Sequence, residues 1–190
     1  STCQSVATTF DSTWVFASPA TGTLVSPTSN KVTTGADGKS YFIAQTTATS
    51  TDPATTTATY NVVVQPSSSS ASGLREGCTY QVSYDLGAVR PANSPIGRQT
   101  LAVQLTSPSG VVVSGSAATY TTSNGPSTSG GQVPYVASGA ISRTLSSTSF
   151  SFKAVAGTYV FKATFTTPTN KGTSLFADGL GFAAPAFTVV

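Results

Sequence analysis

The side chains that could carry out acid–base chemistry in this chain are few. There is no histidine, the commonest general base and a frequent metal ligand, so a Ser–His–Asp triad and histidine-containing zinc or copper sites are excluded. A glycosidase needs only two carboxylates held roughly 5 to 10 Å apart. The chain has six, and none lies in a context that singles out a pair: Asp11, Asp37, Asp52, Glu76, Asp85 and Asp178. The sequence therefore predicts a protein that is not an enzyme and requires no cofactor.

The two cysteines, Cys3 and Cys78, are the only pair that could form an intramolecular disulfide. In an oxidising compartment the bond would close a long loop and stabilise the fold by about 4 kcal/mol in the chain-entropy model. The alternative is two reduced, buried thiols. The chain also begins at Ser1 and has no methionine, as expected if a signal peptide has been removed. We therefore expect a Cys3–Cys78 disulfide in an extracellular or cell-surface protein.

Charged residues are scarce, and serine and threonine take their place. Only 8% of the residues are charged, against about 25% in an average soluble domain. The nine basic residues form no run, so the phosphate-binding stripe of a nucleic-acid binder is missing. No apolar stretch approaches the roughly 18 residues of a membrane span. The sequence therefore predicts that this chain does not bind nucleic acid and contains no membrane span.

The elements that must position any site are strands, because apolar residues alternate with a period of two wherever a pattern can be read. The clearest cases are residues 79–86, 100–105 and 158–165. Further strands are predicted at residues 13–16, 41–45, 57–65, 111–114, 147–153, 173–176 and 186–190. Strands with one buried face each pack as two sheets. We therefore expect an all-β fold, a two-sheet antiparallel sandwich forming a single domain over residues 1–190.

Turn signals and low-complexity segments separate the strands. Asp37-Gly38 is typical of a hairpin turn, and turns are also predicted around residues 107–110 and 156–157. Residues 46–59, 66–73 and 114–131 are rich in small polar residues and are expected to be surface loops or edges. Their hydroxyls could carry O-linked sugar, or the loops could be bare. No Asn-x-Ser/Thr sequon is present.

Short motifs in this order resemble galactose-binding-like jelly rolls, especially carbohydrate-binding modules and surface adhesin domains. The first is the aromatic–acid stretch Phe10-Asp11-Ser12-Thr13-Trp14, and the second is the strand Thr79-Tyr80-Gln81-Val82-Ser83-Tyr84. Late in the chain, Gly157-Thr158-Tyr159-Val160-Phe161 and Leu175-Phe176-Ala177-Asp178 are similar to the closing strands of that family. The resemblance implies a jelly-roll order of strands.

The resemblance also implies ligand sites. A structural calcium would link Asp11 to Asp178, because hard oxygen ligands suit calcium; the family commonly has a second acid beside the late one, and here position 179 is glycine. Sugar binding in such modules relies on exposed aromatic rings, for which Trp14, Tyr120 and Tyr135 are the candidates, with Asn124 to hydrogen-bond hydroxyls. A tryptophan in a strand is more often a core residue than a sugar platform, so Tyr120 and Tyr135 are the stronger candidates for a surface role.

Three functions fit these features. The first expectation is a non-catalytic adhesin or structural domain of a cell wall or surface appendage, whose partner is a surface glycan or a neighbouring surface protein. The second is a carbohydrate-binding module or lectin. The third is a filament subunit that self-associates by donating its apolar C-terminal strand, Phe187-Thr188-Val189-Val190, although that segment could simply complete its own sheet.

Overall fold

In the computed structural model of the chain, the described residues are 2–17, 23–24, 31–34, 38–44, 46–48, 54–89, 97–98, 100–122, 132–133, 142–143, 148–167 and 175–190. Side-chain environments are described for residues 2–17, 38–42, 55–87, 100–121, 149–166 and 180–190. Within these ranges the regular secondary structure consists of strands. No helix in the described part of the chain is long and apolar enough to cross a bilayer.

The strands of the first half of the chain are β1 Val6–Ala7, β2 Trp14–Phe16, β3 Thr23–Leu24, β4 Lys31–Thr34, β5 Ser40–Ala44, β6 Thr46–Ala48, β7 Ala54–Gln65, β8 Leu74–Arg75, β9 Thr79–Tyr84 and β10 Leu86–Val89. Those of the second half are β11 Gly97–Arg98, β12 Thr100–Thr106, β13 Ala118–Thr122, β14 Gln132–Val133, β15 Ser142–Arg143, β16 Thr148–Lys153, β17 Gly157–Thr167, β18 Leu175–Ala183 and β19 Ala186–Val189.

These strands form three hydrogen-bonded sheets. The seven-stranded sheet has the order β14-β13-β12-β17-β7-β2, with β8 beside β7. The four-stranded sheet has the order β1-β19-β9-β16, and the eight-stranded sheet is built on β15-β10-β18-β5-β4. The strand pairs are antiparallel apart from three two-residue parallel pairs, namely β7 with β8, β11 with β18 and β13 with β14.

The two smaller sheets are halves of one layer. β9 pairs with β19 in one of them, and the continuations β10 and β18 pair in the other. Ser83 faces Ala186 and Leu86 faces Phe182. Residues 84 and 85 at the junction of β9 and β10 therefore stand opposite three residues, 183–185, at the junction of β18 and β19. An extra residue on one strand is a β-bulge, which interrupts the ladder and bends the strand. The layer is therefore broken at this point.

The core lies between this broken layer and the seven-stranded sheet. β17 of the large sheet contributes Phe161 and Phe165, whose rings lie 6.2 and 6.1 Å from the ring of Phe182 on β18. Near the other end Phe152 on β16 lies 5.0 Å from Tyr159 on β17. Aromatic contacts thus join the two layers along their length, and the chain is an all-β sandwich, as predicted.

The alternation predicted from the sequence is confirmed on three strands. Tyr80, Val82 and Tyr84 of β9 are buried, as are the inward positions of β12 and β17: Leu101, Val103, Leu105, Tyr159, Phe161, Ala163 and Phe165. The predicted hairpin at Asp37-Gly38 is also supported, because β4 and β5 pair on either side of it and Gly38 has a φ of +80°. Several connections between strands run through residues outside the described ranges, so the jelly-roll order stays a prediction.

Three local predictions are wrong. Residues 111–114 do not form a strand, and only Val112 makes an isolated bridge, to Thr106. Residues 54–56, expected in a surface loop or edge, extend the predicted strand 57–65 into the longer strand β7 and bury Thr56. The segment 114–131 contains β13, which pairs with β12. In the last two cases β-branched threonines that read as polar loop residues lie in a sheet, where threonine packs well.

Candidate functional site

A pocket of about 410 Å³ opens at the break between the two halves of the smaller layer. Four segments line it: residues 8–10 of the N-terminal segment, the start of β5, the end of β9, and the bulged junction of β18 with β19. We call it the sheet-break pocket. Its volume lies within the range of about 300 to 1,000 Å³ usual for small-molecule sites.

The charged side chains on its wall are Lys39 and Asp85. Lys39 lies immediately before β5 and Asp85 lies between β9 and β10, and the Lys39 ammonium donates to Oδ2 of the Asp85 carboxylate. The Asp85 side chain is 3% exposed, whereas that of Lys39 is 51% exposed. A buried carboxylate is costly unless it is paired. The pair therefore fixes a negative charge inside the pocket wall and leaves a positive charge at its mouth.

Hydroxyl groups and apolar surface make up the rest of the lining. The hydroxyl groups belong to Thr8, Thr9, Ser40 and Ser83, and the apolar surface belongs mainly to Phe10, Ala183, Ala184 and Ala186. Phe10 is half-buried, and its ring packs edge-on against Trp14 and Phe182 at 4.9 and 5.3 Å. The pocket thus combines a rigid aromatic edge with several adaptable hydrogen-bonding groups.

Hydrogen bonds across the break hold the N-terminal wall of the pocket in place. Pro185, the last residue of the bulge, has no backbone N–H, but its carbonyl accepts bonds from the Thr8 amide at 3.2 Å and from the Thr8 hydroxyl at 2.6 Å. β1 pairs with β19 just before this point, and the Val189 amide donates to the Ser5 hydroxyl at 2.9 Å. The bulge therefore creates the pocket, and the N-terminal segment closes one side of it.

Two of the aromatic residues predicted to stack on a sugar are buried. Trp14 is 4% exposed and stacks on Tyr60 at 5.1 Å, and its indole N–H has no hydrogen-bond partner among the described residues. Tyr120 is 8% exposed, and its hydroxyl lies 3.1 Å from that of Tyr84. Each lies at an inward-facing position of the seven-stranded sheet, so the surface role predicted for Tyr120 is wrong, and Trp14 is the core residue that was its alternative. Tyr135 and Asn124 lie outside the described residues.

Of the two acids proposed for calcium, Asp11 is the one whose side chain the structure describes. The Asp11 carboxylate accepts a bond from the Thr13 amide at 2.9 Å and others from the hydroxyls of Thr13 and Thr9. The Thr13 hydroxyl and then its amide lower the pKa of the Asp11 carboxyl below its ordinary value. Asp178 lies in β18 opposite Arg98, and its side chain is outside the described set. Among the described residues no group of three or more metal-ligating side chains converges. The hydrogen bonds of Asp11 are those of a turn residue, and the calcium site stays a prediction.

The structure joins Cys3 and Cys78 in a disulfide, with Cα atoms 5.8 Å apart, which is the pairing predicted from the sequence. The predicted donor strand also has a partner within the chain. β19 is an inner strand flanked by β1 and β9, and Phe187 is 1% exposed in the core. The C-terminal segment therefore completes a sheet of its own chain, which is the alternative to strand donation given above.

Sequence reasoning missed Lys39 and did not connect Asp85 with a binding pocket. Asp85 follows the polar side of the β9 alternation, and Lys39 follows a turn, so each was consistent with an exposed residue. The signal that could have marked the place is Pro185 between two apolar runs, because proline interrupts a strand ladder. Which residues face that interruption depends on the register, and the sequence pattern alone does not give it.

Comparison with known proteins gives a distant structural likeness. The chain matches no protein-family model and no curated protein sequence. Among solved structures it is similar to a family-61 carbohydrate-binding module in complex with β-1,4-galactotriose. The alignment covers 94% of this chain and 90% of that one, with 9% sequence identity and a TM-score of 0.43. At that distance the likeness says nothing about the ligand of this chain.

Proposed function

We propose that this chain is an extracellular, non-catalytic carbohydrate-binding domain whose ligand lies in the sheet-break pocket. The observation that carries the proposal is the lining of that pocket, in which the Lys39–Asp85 pair, several hydroxyls and the edge of Phe10 surround one cavity. A sugar presents hydroxyls to polar groups and C–H faces to apolar ones. Pockets that bind small polar ligands combine an apolar wall with a few placed polar groups in the same way.

The lining favours binding over hydrolysis. Asp85 is the one carboxylate among the described residues that line the pocket, whereas glycoside hydrolysis ordinarily uses two carboxyl groups on either side of the bond. The Asp85 carboxylate is moreover engaged by Lys39. The Cys3–Cys78 disulfide supports an extracellular location, because such bonds persist in oxidising compartments. A glycan-binding domain at a cell surface is also adhesive, so the proposal includes the adhesive role and leaves out the purely structural one.

The test blocks the pocket without touching its charges. Ala184 is half-buried in the wall, and Ala184→Phe would place a ring in the cavity. Thr9→Trp, at an exposed position of the wall, is a second blocking variant in case the first does not fold. We expect the native chain to bind at least one glycan on an array, and each blocking variant to bind it at least about tenfold more weakly by isothermal titration calorimetry.

The matched control is Ala102→Phe, which adds the same ring at an exposed position of β12. It should bind as the native chain does, and circular dichroism should show that all variants fold. The proposal fails if no glycan binds, or if both folded blocking variants bind as tightly as the native chain.

A further inference from the structure

The two charges in the sheet-break pocket cancel each other. Lys39 and Asp85 are the only charged side chains among the described residues that line it, and they contact each other directly. Tyr84 also lines the pocket, but its hydroxyl is engaged by that of Tyr120. The formal charge of the lining is therefore zero, although a strong hydrogen-bond acceptor and a strong donor stand side by side within it.

A charged ligand would disturb this balance. An anionic sugar could pair with the Lys39 ammonium at the mouth only by competing with Asp85 for it, and its charge would be repelled by that buried carboxylate. An amino sugar would compete with Lys39 for the same carboxylate. An amino sugar would therefore gain no ion pair that Lys39 does not already make, whereas an anion that drew Lys39 away would leave the buried carboxylate unpaired, which is strongly unfavourable. A ligand without charge can instead bind next to the pair and leave it intact.

The distance between the oxygens of two neighbouring sugar hydroxyls matches the distance between the charged atoms of an ion pair such as Lys39 and Asp85. The two oxygens lie about one hydrogen-bond length apart, as do the donor and acceptor atoms of a charged pair in contact. A hydroxyl can donate to a carboxylate while the hydroxyl beside it accepts from an ammonium group. Lys39 is half-exposed at the mouth of the pocket, so its ammonium group can be reached by such a ligand.

We propose, on the basis of the carbohydrate-binding function above, that the pocket selects neutral sugars and holds two adjacent hydroxyls of one ring against the intact Lys39–Asp85 pair, one donating to the carboxylate and the other accepting from the ammonium group. The hydroxyls of Ser40 and Ser83 flank the pair, and Phe10 provides the apolar side of the same cavity. The volume of about 410 Å³ is near the low end for ligand pockets. The site therefore fits a short segment of a glycan rather than a long stretch of chain.

The first experiment compares ligands on the native chain. The probes are the methyl glycosides of glucose, galactose, mannose and xylose, the matching glucuronates and galacturonates, and glucosamine and galactosamine. Titration calorimetry should show binding of at least one neutral glycoside. Its uronate, its amino form and the deoxy sugar lacking one of the paired hydroxyls should each bind at least about tenfold more weakly. Binding of the neutral sugar should change little with salt, because exposed charge attraction is what salt screens.

The second experiment tests the pair itself. Lys39→Met and Asp85→Asn should each weaken binding of the neutral sugar at least about tenfold, whereas Lys153→Met and Lys162→Met, exposed lysines on β16 and β17, should leave it unchanged. If Asp85→Asn does not fold, Lys39→Met and the ligand series on the native chain still decide the matter.

The outcomes separate this inference from the proposed function. The inference is overturned, while the proposed function stands, if the ligand lost in Ala184→Phe and Thr9→Trp is anionic or an amino sugar. It is also overturned if Lys39→Met binds the neutral sugar as the native chain does. If no glycan binds, or if folded blocking variants retain full binding, the proposed function and this inference fail together.

Discussion

At the scale of single residues, the charge of Asp11 acts on the phenol of Tyr60, which lies in the aromatic cluster around Trp14. Tyr60 is half-buried on β7 and stacks on the Trp14 ring, and Asp11 forms the turn that leads into β2. Burial is the main cause that raises the pKa of the Tyr60 phenol above its ordinary value, and the negative charge of Asp11 adds to it. Hydrogen bonds from Thr13 keep Asp11 ionised by lowering its own pKa.

This coupling predicts how Tyr60 titrates. A raised pKa in the folded state means that the contribution of Tyr60 to stability is complete below the unfolded-state pKa of about 10 and is lost as the pH rises through the folded-state pKa. Asp11→Asn removes the second cause, so Tyr60 should ionise at a lower pH than in the native chain, yet still above its ordinary value because burial remains. Ultraviolet difference titration of each chain against its Tyr60→Phe partner measures this. An unchanged or higher pKa in Asp11→Asn would show that the charge of Asp11 does not reach the phenol.

At the scale of elements, the turn between β16 and β17 is packed against the turn after β12. Gly157, the first residue of β17, has a φ of +131°, and a Cβ there would lie 2.9 Å from both Cβ and Cγ of Pro108. Gly77 has a φ of +83°, but a Cβ at that position would meet no atom within 4 Å. A side chain added at position 77 would therefore cause backbone strain alone, whereas one added at position 157 would cause backbone strain and a steric clash.

Alanine substitutions at these two positions give a matched pair. Gly77→Ala should lower the free energy of unfolding by about 1 kcal/mol, the cost of a left-handed conformation alone. Gly157→Ala should lower it by about 3 kcal/mol, because Pro108 or the turn that carries it must also shift. Chemical denaturation of both variants measures the difference. Equal losses would mean that the two turns move apart without cost.

The strands that could be predicted from the sequence are those that bury one face. β9, β12 and β17 alternate clearly, because every second residue enters the core between the layers. The first residues of β7 were not predicted as a strand, because the sequence there is a polar tract. Thr56 and Ala58 fill its inward positions, and the Thr56 hydroxyl donates to the carbonyl of Ala17 at the end of β2. A small hydroxyl residue can be buried once its hydrogen bond is made, so polarity alone did not mark a loop.

The candidate site was harder to predict than the strands. The fold places Trp14 and Tyr120 in the core, where their rings add apolar area, and composition does not distinguish such rings from exposed ones. The sheet-break pocket depends on the one-residue bulge at 183–185 and on the pairing of Lys39 with Asp85, which are far apart in the chain. Both are consequences of register, which no local pattern of residues specifies across so long a separation.

At the scale of the whole molecule, the Cys3–Cys78 disulfide ties the N-terminal segment to the start of β9, 75 residues along the chain. The same segment continues through β1 to Thr8, Thr9 and Phe10, which form one wall of the sheet-break pocket. The hydrogen bonds of Thr8 to Pro185 hold it there. The covalent link therefore supports both the stability of the fold and the shape of its candidate site.

Replacing both cysteines tests this double role. Cys3→Ser with Cys78→Ser should lower the free energy of unfolding by about 4 kcal/mol, because the unfolded chain regains the freedom that a long closed loop removes. Denaturant unfolding should also show a larger m-value, since the unlinked chain exposes more surface when it unfolds. Under conditions in which the variant is still folded, binding of the glycan found for the native chain should weaken, because the N-terminal wall is held by hydrogen bonds alone. Reduction of the native chain should reproduce both effects. Unchanged binding in a folded variant would show that β1 and Thr8 position the wall without help from the disulfide.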